Sequence, residues 1–485
     1  MSAAAQPQPA APRYVPFSWL RDFRLIPRLE TYPRVVEFSQ TIAGKALLLA
    51  LFGYGLYYAT WLHYLTNPRW KVQICFLVAV TVLPKYRRIL LVAGTLVWAC
   101  GIWWKWAEHP QIIQAAISLT LAALILWSAM RFRSSWIACR PVLTVLTGFA
   151  ALVFAASYLP RGGSLRSAAF SFLPVAGAYV WFLAYSLMDI GSKRRDPVAM
   201  QVGIYQPIWG SSNTPFPKGA AYLRRIEAQN PLQLAVAQIK GLKLLWWSIV
   251  LDLFLNYAFI PLVHGYLNVP LYDFVFHLSL VRAPFKWYMG WASLICEFIE
   301  NMVRFSIWGH RIVAVCRMAG FNALRNTYRP LASRSIAEFW NRYYYYFKEL
   351  LVDCFFYPAF LRYCKKWGRW RLFAATAAAA GFGNAFFHFF RDLNYIDDQG
   401  FFHALVGFQA YIFYVIVLSV GIGISQMRQR KHENVGWIRS RIVAPLCVGL
   451  FFCLLHVFDF TYFAYKRYPI QEAFRFLGHL FNLVS

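Results

Sequence analysis

The chain has 485 residues, of which 59% are hydrophobic and 14% charged, with a mean hydropathy of +0.43. A soluble globule lies nearer half apolar and a quarter charged, so this balance excludes an ordinary soluble fold. Forty-nine Lys and Arg against twenty Asp and Glu give a formal net charge of +29, but no RNA- or DNA-binding motif accompanies the excess, and nucleic acid is not expected as a partner.

Residues 1–12 (MSAAAQPQPAAP) are rich in Ala and Pro and read as a disordered tail. The first long apolar run begins near Ile42 without a cleavage pattern before it, so no secretory leader is expected. Between 17 and 40, Phe17, Trp19, Leu20, Phe23 and Leu25 mix with Arg21, Arg24 and Arg28. That mixture reads as an interfacial amphipathic segment, interrupted by Pro27 and Pro33. Residues 1–41 thus form an N-terminal tail and interfacial region.

From 42 to 190 the chain reads as an N-terminal transmembrane bundle. Apolar runs at 42–64, 87–108, 111–130, 141–159 and 168–190 approach the roughly 20 helical residues that cross a hydrocarbon core of about 30 Å. The run at 72–83 is shorter and reads as re-entrant or interfacial. Trp103, Trp104 and Trp106 read as an interfacial aromatic belt. Residues 191–241 are the longest polar segment, an extramembrane loop that covers an entrance or merely connects. Gly210, Ser211, Ser212, Asn213, Pro215 and Pro217 mark its turns, and 218–229 suits a short helix.

Beyond it, 242–264, 285–309, 372–390, 402–424 and 442–465 are further candidate spans, and 268–281 is another short run. Cations cluster between the runs: Lys85, Arg87 and Arg88; Lys193, Arg194 and Arg195; Lys365, Lys366, Arg369 and Arg371; and a group from Arg428 to Arg441. There they fix topology and touch anionic headgroups of membrane lipids. The expected fold is an all-α polytopic integral membrane protein of about ten to twelve transmembrane helices, with re-entrant or interfacial helices around a central cavity. No period-2 alternation suggests a β-barrel, and no internal repeat suggests a secondary transporter. The cysteines and histidines are scattered, with no CxxC and no HExxH, so no metal site is expected.

Residues 317–371 break the pattern of simple spans. Seven arginines fall between Arg304 and Arg342, interleaved with aromatics. Charge at bilayer depth is costly, so this stretch must face water, headgroups or a hydrated cavity. In order it carries Gly320-Phe321-Asn322, Tyr328-Arg329-Pro330, Ser333-Arg334-Ser335-Ile336 and Glu338-Phe339-Trp340-Asn341-Arg342. Asp353-Cys354-Phe355-Phe356-Tyr357-Pro358 follows, and then Gly383-Asn384-Ala385-Phe386-Phe387-His388 inside an apolar run. This ordered set resembles the membrane-bound O-acyltransferase family, whose bacterial branch includes alginate O-acetyltransferases and the D-alanyl transferase of teichoic acids. Members carry Ser-x-x-Glu-Phe-Trp-x-Arg-Trp-His, then Arg-Asp-Tyr and an aromatic-x-Pro, and later an invariant histidine, here His388. The chain departs from the pattern at Tyr343 and Tyr344, which replace the Trp and the polar residue after it, and at Phe389, where bacterial members have Gly. The likeness covers 320–388; outside it the chain is similar only in being multi-spanning.

The resemblance implies an enzyme of the bacterial inner membrane. It would move an acetyl or other small acyl group from the thioester of an acyl-CoA or acyl-carrier protein to a hydroxyl. The acceptor would be an extracytoplasmic polysaccharide or glycolipid, and a periplasmic acyltransferase or other biosynthetic protein could be a partner. Such transfer needs a base, donors for the oxyanion and exclusion of water. His388 is the expected base. Asn384 four residues before it, Arg391 three after and Asp392 four after are expected on one helical face. Tyr344 is the expected second polar group, and Arg329, Arg334, Arg342 and Lys348 the expected docking points for cofactor phosphates. Asp353, Arg391 and Asp392 are expected as structural support, Asp353 pairing with a nearby arginine. Two other classes stay open. A polysaccharide or lipid flippase would need paired charges over several spans. A glycan polymerase or ligase would need a large loop bearing catalytic groups, whereas 191–241 has no histidine.

Overall fold

A computed structural model describes residues 25–61, 69–99, 109–132, 134–191, 196–205, 214–428, 438–459 and 468–483. The Ala/Pro tail, the tryptophans at 103, 104 and 106, the cations at 193–195 and the turn residues at 210–213 lie outside the described residues, as does most of the 428–441 group. In chain order the main helices are α1 (Ile42–Trp61), α2 (Arg69–Val82), α3 (Arg87–Ala99), α4 (His109–Arg131), α5 (Pro141–Ser157) and α6 (Ser164–Ile190). They continue with α7 (Pro231–Phe254, extended by π-helical turns to Tyr266), α8 (Trp287–Met318), α9 (Ile336–Tyr343) and α10 (Tyr345–Leu351). Last come α11 (Arg371–Arg391), α12 (Gln409–Arg428), α13 (Arg439–His456) and α14 (Ile470–Leu480). Among the described residues no strand forms beyond one isolated bridge, Glu227 to Phe321.

The chain is therefore all-α, and six of its described helices (α1, α6, α7, α11, α12 and α13) are long and apolar enough to cross a membrane. Their outer faces carry exposed large apolar side chains such as Leu47, Leu51 and Tyr54 on α1, and Ile416, Val420 and Ile424 on α12. Contiguous exposed apolar surface of this kind suits lipid rather than water. Shorter apolar helices lie at Gln73–Val82, Ala116–Arg131 and Pro141–Ser157. The expected span at 285–309 is part of the 32-residue α8, which runs on to Met318. The expected span at 402–424 is divided, with a short helix Phe401–Gly407 before α12.

Local chemistry sets the boundaries. Asn230 caps α7, its Oδ1 accepting from the Gln233 backbone at 2.8 Å, and Pro231 takes the first helical position. The polar segment expected to run to 241 therefore ends at Asn230. Its described part is seated on the bundle. Glu227 accepts from Arg87 at 3.2 Å and Arg88 at 2.8 Å, Asp196 pairs with Arg224 at 2.7 Å, and buried Phe216 packs on Trp308 and Tyr346. The division at 190 and 242 does not separate two cores. One buried cluster joins Phe52, Leu77 and Phe182 to Leu245, Val313 and Tyr346, and a second joins Phe149 and Trp181 to Leu350, Phe387 and Tyr411.

Helices α7 and α8 pack closest at Gly241, where a Cβ would meet the Ala314 carbonyl and the Met318 amide at 3.0 Å each. Past α8 the chain turns through Gly320 at φ +89°. The Gly320 amide bonds to the Arg317 carbonyl and the Phe321 amide to that of Cys316, the paired pattern of a left-handed helix stop. From there to Ser335 the chain is a loop with one 3₁₀ turn, and after the short α9 the chain from Tyr345 to Tyr363 is one continuous run of α and π turns. A Cβ on Gly320 would lie 2.8 Å from the Arg87 guanidinium, in addition to the positive φ. We expect Gly320→Ala to cost about 1–3 kcal/mol, read as a lowered thermal midpoint of detergent-purified protein. An unchanged midpoint would show that the turn tolerates a side chain there.

Candidate functional site

Part of the 317–371 motif shapes backbone. Ser335 is the N-cap of α9, its Oγ accepting from the Glu338 amide at 3.1 Å, and the Glu338 carboxylate accepts from the Arg334 amide at 2.6 Å. This is close to a capping box, which satisfies amides at a helix start. The preceding loop is stitched to the end of α9: the Tyr328 amide bonds to the Arg342 carbonyl, the Tyr345 amide to that of Asn326, and Thr327 Oγ1 to that of Tyr343. These bonds fix the kink at Tyr344 (φ −138°, ψ 78°) between α9 and α10. The kink turns Trp340, Tyr343, Tyr344 and Phe347 toward a common space.

That space is a narrow cavity of about 120 Å³, to which six helices, α8 to α13, contribute. Asn301 and Phe305 come from α8, and Asn384, His388 and Arg391 from α11. Tyr411 and Tyr414 come from α12, His456 from the end of α13, and Asp459 from just beyond it. The His388 ring lies edge-on to Phe347, with centroids 5.5 Å apart, and 4.9 Å from the Tyr411 ring. Its Nδ1 is enclosed and has no hydrogen-bond partner among the described residues. Tyr411 donates its hydroxyl to Asn384 Oδ1 at 3.1 Å, which leaves Asn384 Nδ2 enclosed with its donors unspent. Tyr344 donates to Thr214 Oγ1 at 3.3 Å. A second polar chain enters from α8, where Asn301 Nδ2 lies 2.8 Å from Glu297 Oε1 and 3.4 Å from His456 Nε2. An amide nitrogen only donates, so in that contact Nε2 is the acceptor.

The expected site residues divide accordingly. His388, Asn384, Tyr344 and Arg391 meet at the cavity. Asp392 is the C-cap of α11, at ψ 59°, and does not line the cavity. Arg329, Arg334, Arg342 and Lys348 do not line the cavity. Arg342 pairs with Glu338 and donates to the Arg329 carbonyl, Arg329 is exposed beside the Tyr328 ring, and Lys348 pairs with Glu349. Asp353 is structural, but its partner is a lysine rather than an arginine: it sits 2.8 Å from Lys218 and accepts from the Tyr185 hydroxyl at 2.9 Å. Asn301, His456 and Asp459 escaped the sequence reading. Their signal was available, because polar and ionisable residues inside the apolar runs 285–309 and 442–465 are functional candidates by default. Among the described residues no group of three or more His, Cys, Asp or Glu is placed to hold a metal ion.

The groups at the cavity can accept a proton from a hydroxyl (an imidazole), donate to an oxyanion (Asn384 Nδ2 and the Tyr344 hydroxyl) and hold off water with aromatic walls.

Beside the cavity, Lys218 bridges Glu349 and Asp353 at 2.8 Å each, with side chains 11%, 18% and 20% exposed. Burial works to raise the Glu349 carboxyl, but hydrogen bonds from Lys218 and Lys348 outweigh it and hold the group below its ordinary value of 4.5. A depressed carboxylate stabilises the fold above that value and loses this contribution as pH falls through and below it. We expect Lys218→Met, which leaves Asp353 to the Tyr185 hydroxyl and Glu349 to Lys348, to cost about 3–5 kcal/mol at neutral pH. The thermal midpoint of the native protein should fall as pH drops below 4.5, and that of the variant should fall less. Equal midpoints at neutral pH would show the bridge to be dispensable.

In comparison with known proteins, the chain matches no family model and no curated protein.

Proposed function

We propose that this chain is an integral-membrane O-acyltransferase that moves a small acyl group, acetyl foremost, from a thioester to a hydroxyl. The observation that carries the reading is convergence. Tyr344 meets Asn384, 40 residues further on, and His388, one helical turn beyond that, at one narrow aromatic-walled cavity, and all three lie within the stretch that resembles the membrane-bound O-acyltransferases. The donor is an acyl-CoA or acyl-carrier protein, and the acceptor a hydroxyl of an extracytoplasmic polysaccharide or glycolipid. The setting is a bacterial inner membrane crossed by about ten to twelve helices, with the short segments from 320 to 363 lying re-entrant or interfacial around the cavity.

In the proposed reaction a neutral His388 imidazole takes the hydroxyl proton as the oxygen attacks the thioester carbonyl. Asn384 Nδ2 and the Tyr344 hydroxyl hold the resulting oxyanion. Collapse breaks the carbon–sulfur bond, the ester forms, and the proton on His388 passes to the departing thiolate. Proteins of this size admit a second reading, a lipid or glycan flippase. Ion pairs between helices favour it: Asp252 of α7 with Arg311 of α8 at 2.6 Å, and His264 with Glu300 at 2.7 Å.

We expect His388→Ala to lower acyl transfer in membranes by about 10²–10⁴-fold while the purified variant elutes from a sizing column like the native protein. Asn384→Ala should cost about 10²–10³-fold in kcat with little change in KM. A folded His388→Ala variant with native turnover would defeat the mechanism. No acyl transfer by native protein that moves a labelled glycolipid across vesicles would favour the flippase.

A further inference from the structure

A second recess lies well away from the His388 cavity. Lys240 and Lys243 of α7, Arg317 at the end of α8 and Arg325 of the following loop line it, with Glu30 as the one carboxylate among its lining residues. Its volume is about 270 Å³. Along α8, Arg317 is 16 residues from Asn301 of the His388 cavity, a rise of roughly 24 Å. Two of the four cations are already engaged. Lys243 Nζ contacts both Glu30 oxygens, at 3.0 and 3.1 Å, and Arg317 Nε donates to the Ala323 carbonyl at 2.9 Å. Lys240 and Arg325 make no ion pair or hydrogen bond among the described residues.

The recess thus holds an excess of three positive charges, and two of the cations at its wall are only 7% and 8% exposed. Clustered cations removed from water are unfavourable unless an anion faces them. At the Arg325 guanidinium, burial together with repulsion from Arg28 and Arg329 outweighs the attraction of Tyr328 and Glu30 and lowers it from its ordinary value. One carboxylate neutralises one charge, whereas a dianionic or trianionic phosphate answers the whole excess. A guanidinium offers it a planar fork of donors, and lysines add point charge. We infer that this recess binds a phosphomonoester or pyrophosphate group, carried by a soluble phosphorylated molecule or by a phospholipid headgroup. The site uses none of the groups at His388 and stands whether or not the chain transfers acyl groups.

The test uses the full chain in detergent at low salt. Inorganic pyrophosphate binding is measured by calorimetry, and retention of phosphatidic acid against phosphatidylcholine by native mass spectrometry. Lys240→Ala combined with Arg325→Ala removes two cations without stranding a partner, so the variant should elute like the native protein. We expect it to bind pyrophosphate at least about tenfold more weakly or to lose phosphatidic acid while phosphatidylcholine is unaffected. Phosphatidic acid displaced by pyrophosphate assigns the site to a soluble ligand, and phosphatidic acid that resists displacement assigns it to a headgroup. Failure of the native protein to bind either probe would overturn the inference. So would equal binding by native and variant, or a loss seen instead with Arg329→Ala.

Discussion

Helix α8 carries charge and polarity through an apolar bundle, and its charged Glu300, Arg311 and Arg317 each meet a partner, while His310 Nδ1 is enclosed without one among the described residues. An unpaired ion in low dielectric costs several kcal/mol, which is comparable to the whole stability of many domains. Glu300 is met by His264 and Arg304, and Arg311 by Asp252 of α7. Arg317 is met by the Ala323 carbonyl beyond the turn. Gly241 brings α7 close enough for these pairings to be made across the interface. Asn301 differs in facing the cavity, where it links Glu297 to His456. The helix that holds the bundle together is thus also one wall of the candidate site.

Much of this was legible in the sequence because it depends on local chemistry. The apolar runs mark most of the long helices, since burial in lipid demands length and hydropathy from each segment separately. Of the arginines from Arg304 onward, the first three ride on α8 and Arg325, Arg329 and Arg334 lie in the loop that follows it. Paired charge was harder to read. Nothing near Asp252 in sequence announces Arg311, and the lysine that meets Asp353 comes from the polar segment before α7. The group at His456 and Asp459 needed the fold, because α13 reaches the cavity only through tertiary packing.

The motif that carries the family resemblance holds two kinds of residue. Ser335 and Glu338 start a helix, Arg342 answers Glu338, and Gly320 ends the preceding helix. Such residues would be retained in any chain that needs this path, whatever its chemistry. Trp340, Tyr344, Asn384 and His388 face the cavity instead. The Tyr344 side chain reaches the cavity, and its bond to Thr214 ties the polar segment before α7 to the cavity wall.

The cavity's narrowness bears on which chemistry suits it. A thioester that meets free water before its acceptor is lost to hydrolysis, so a transferase has to admit a hydroxyl-bearing chain while holding bulk solvent off. Rings of Phe347, Tyr411, Tyr343 and Phe339 surround the polar groups here, so an oxyanion formed among them would face fixed donors in place of mobile water. Low dielectric strengthens those donors and also penalises any that stay unspent. Asn384 Nδ2 and His388 Nδ1 are two such unspent groups, enclosed and unpartnered on the same helix. Unsatisfied polar atoms cost about 1–3 kcal/mol each when they are merely structural. A site that forms its bonds only when substrate arrives has a reason to keep them open, and what separates these two from other enclosed unpartnered atoms, such as His310 Nδ1 and Gln201 Oε1, is that they lie at the cavity.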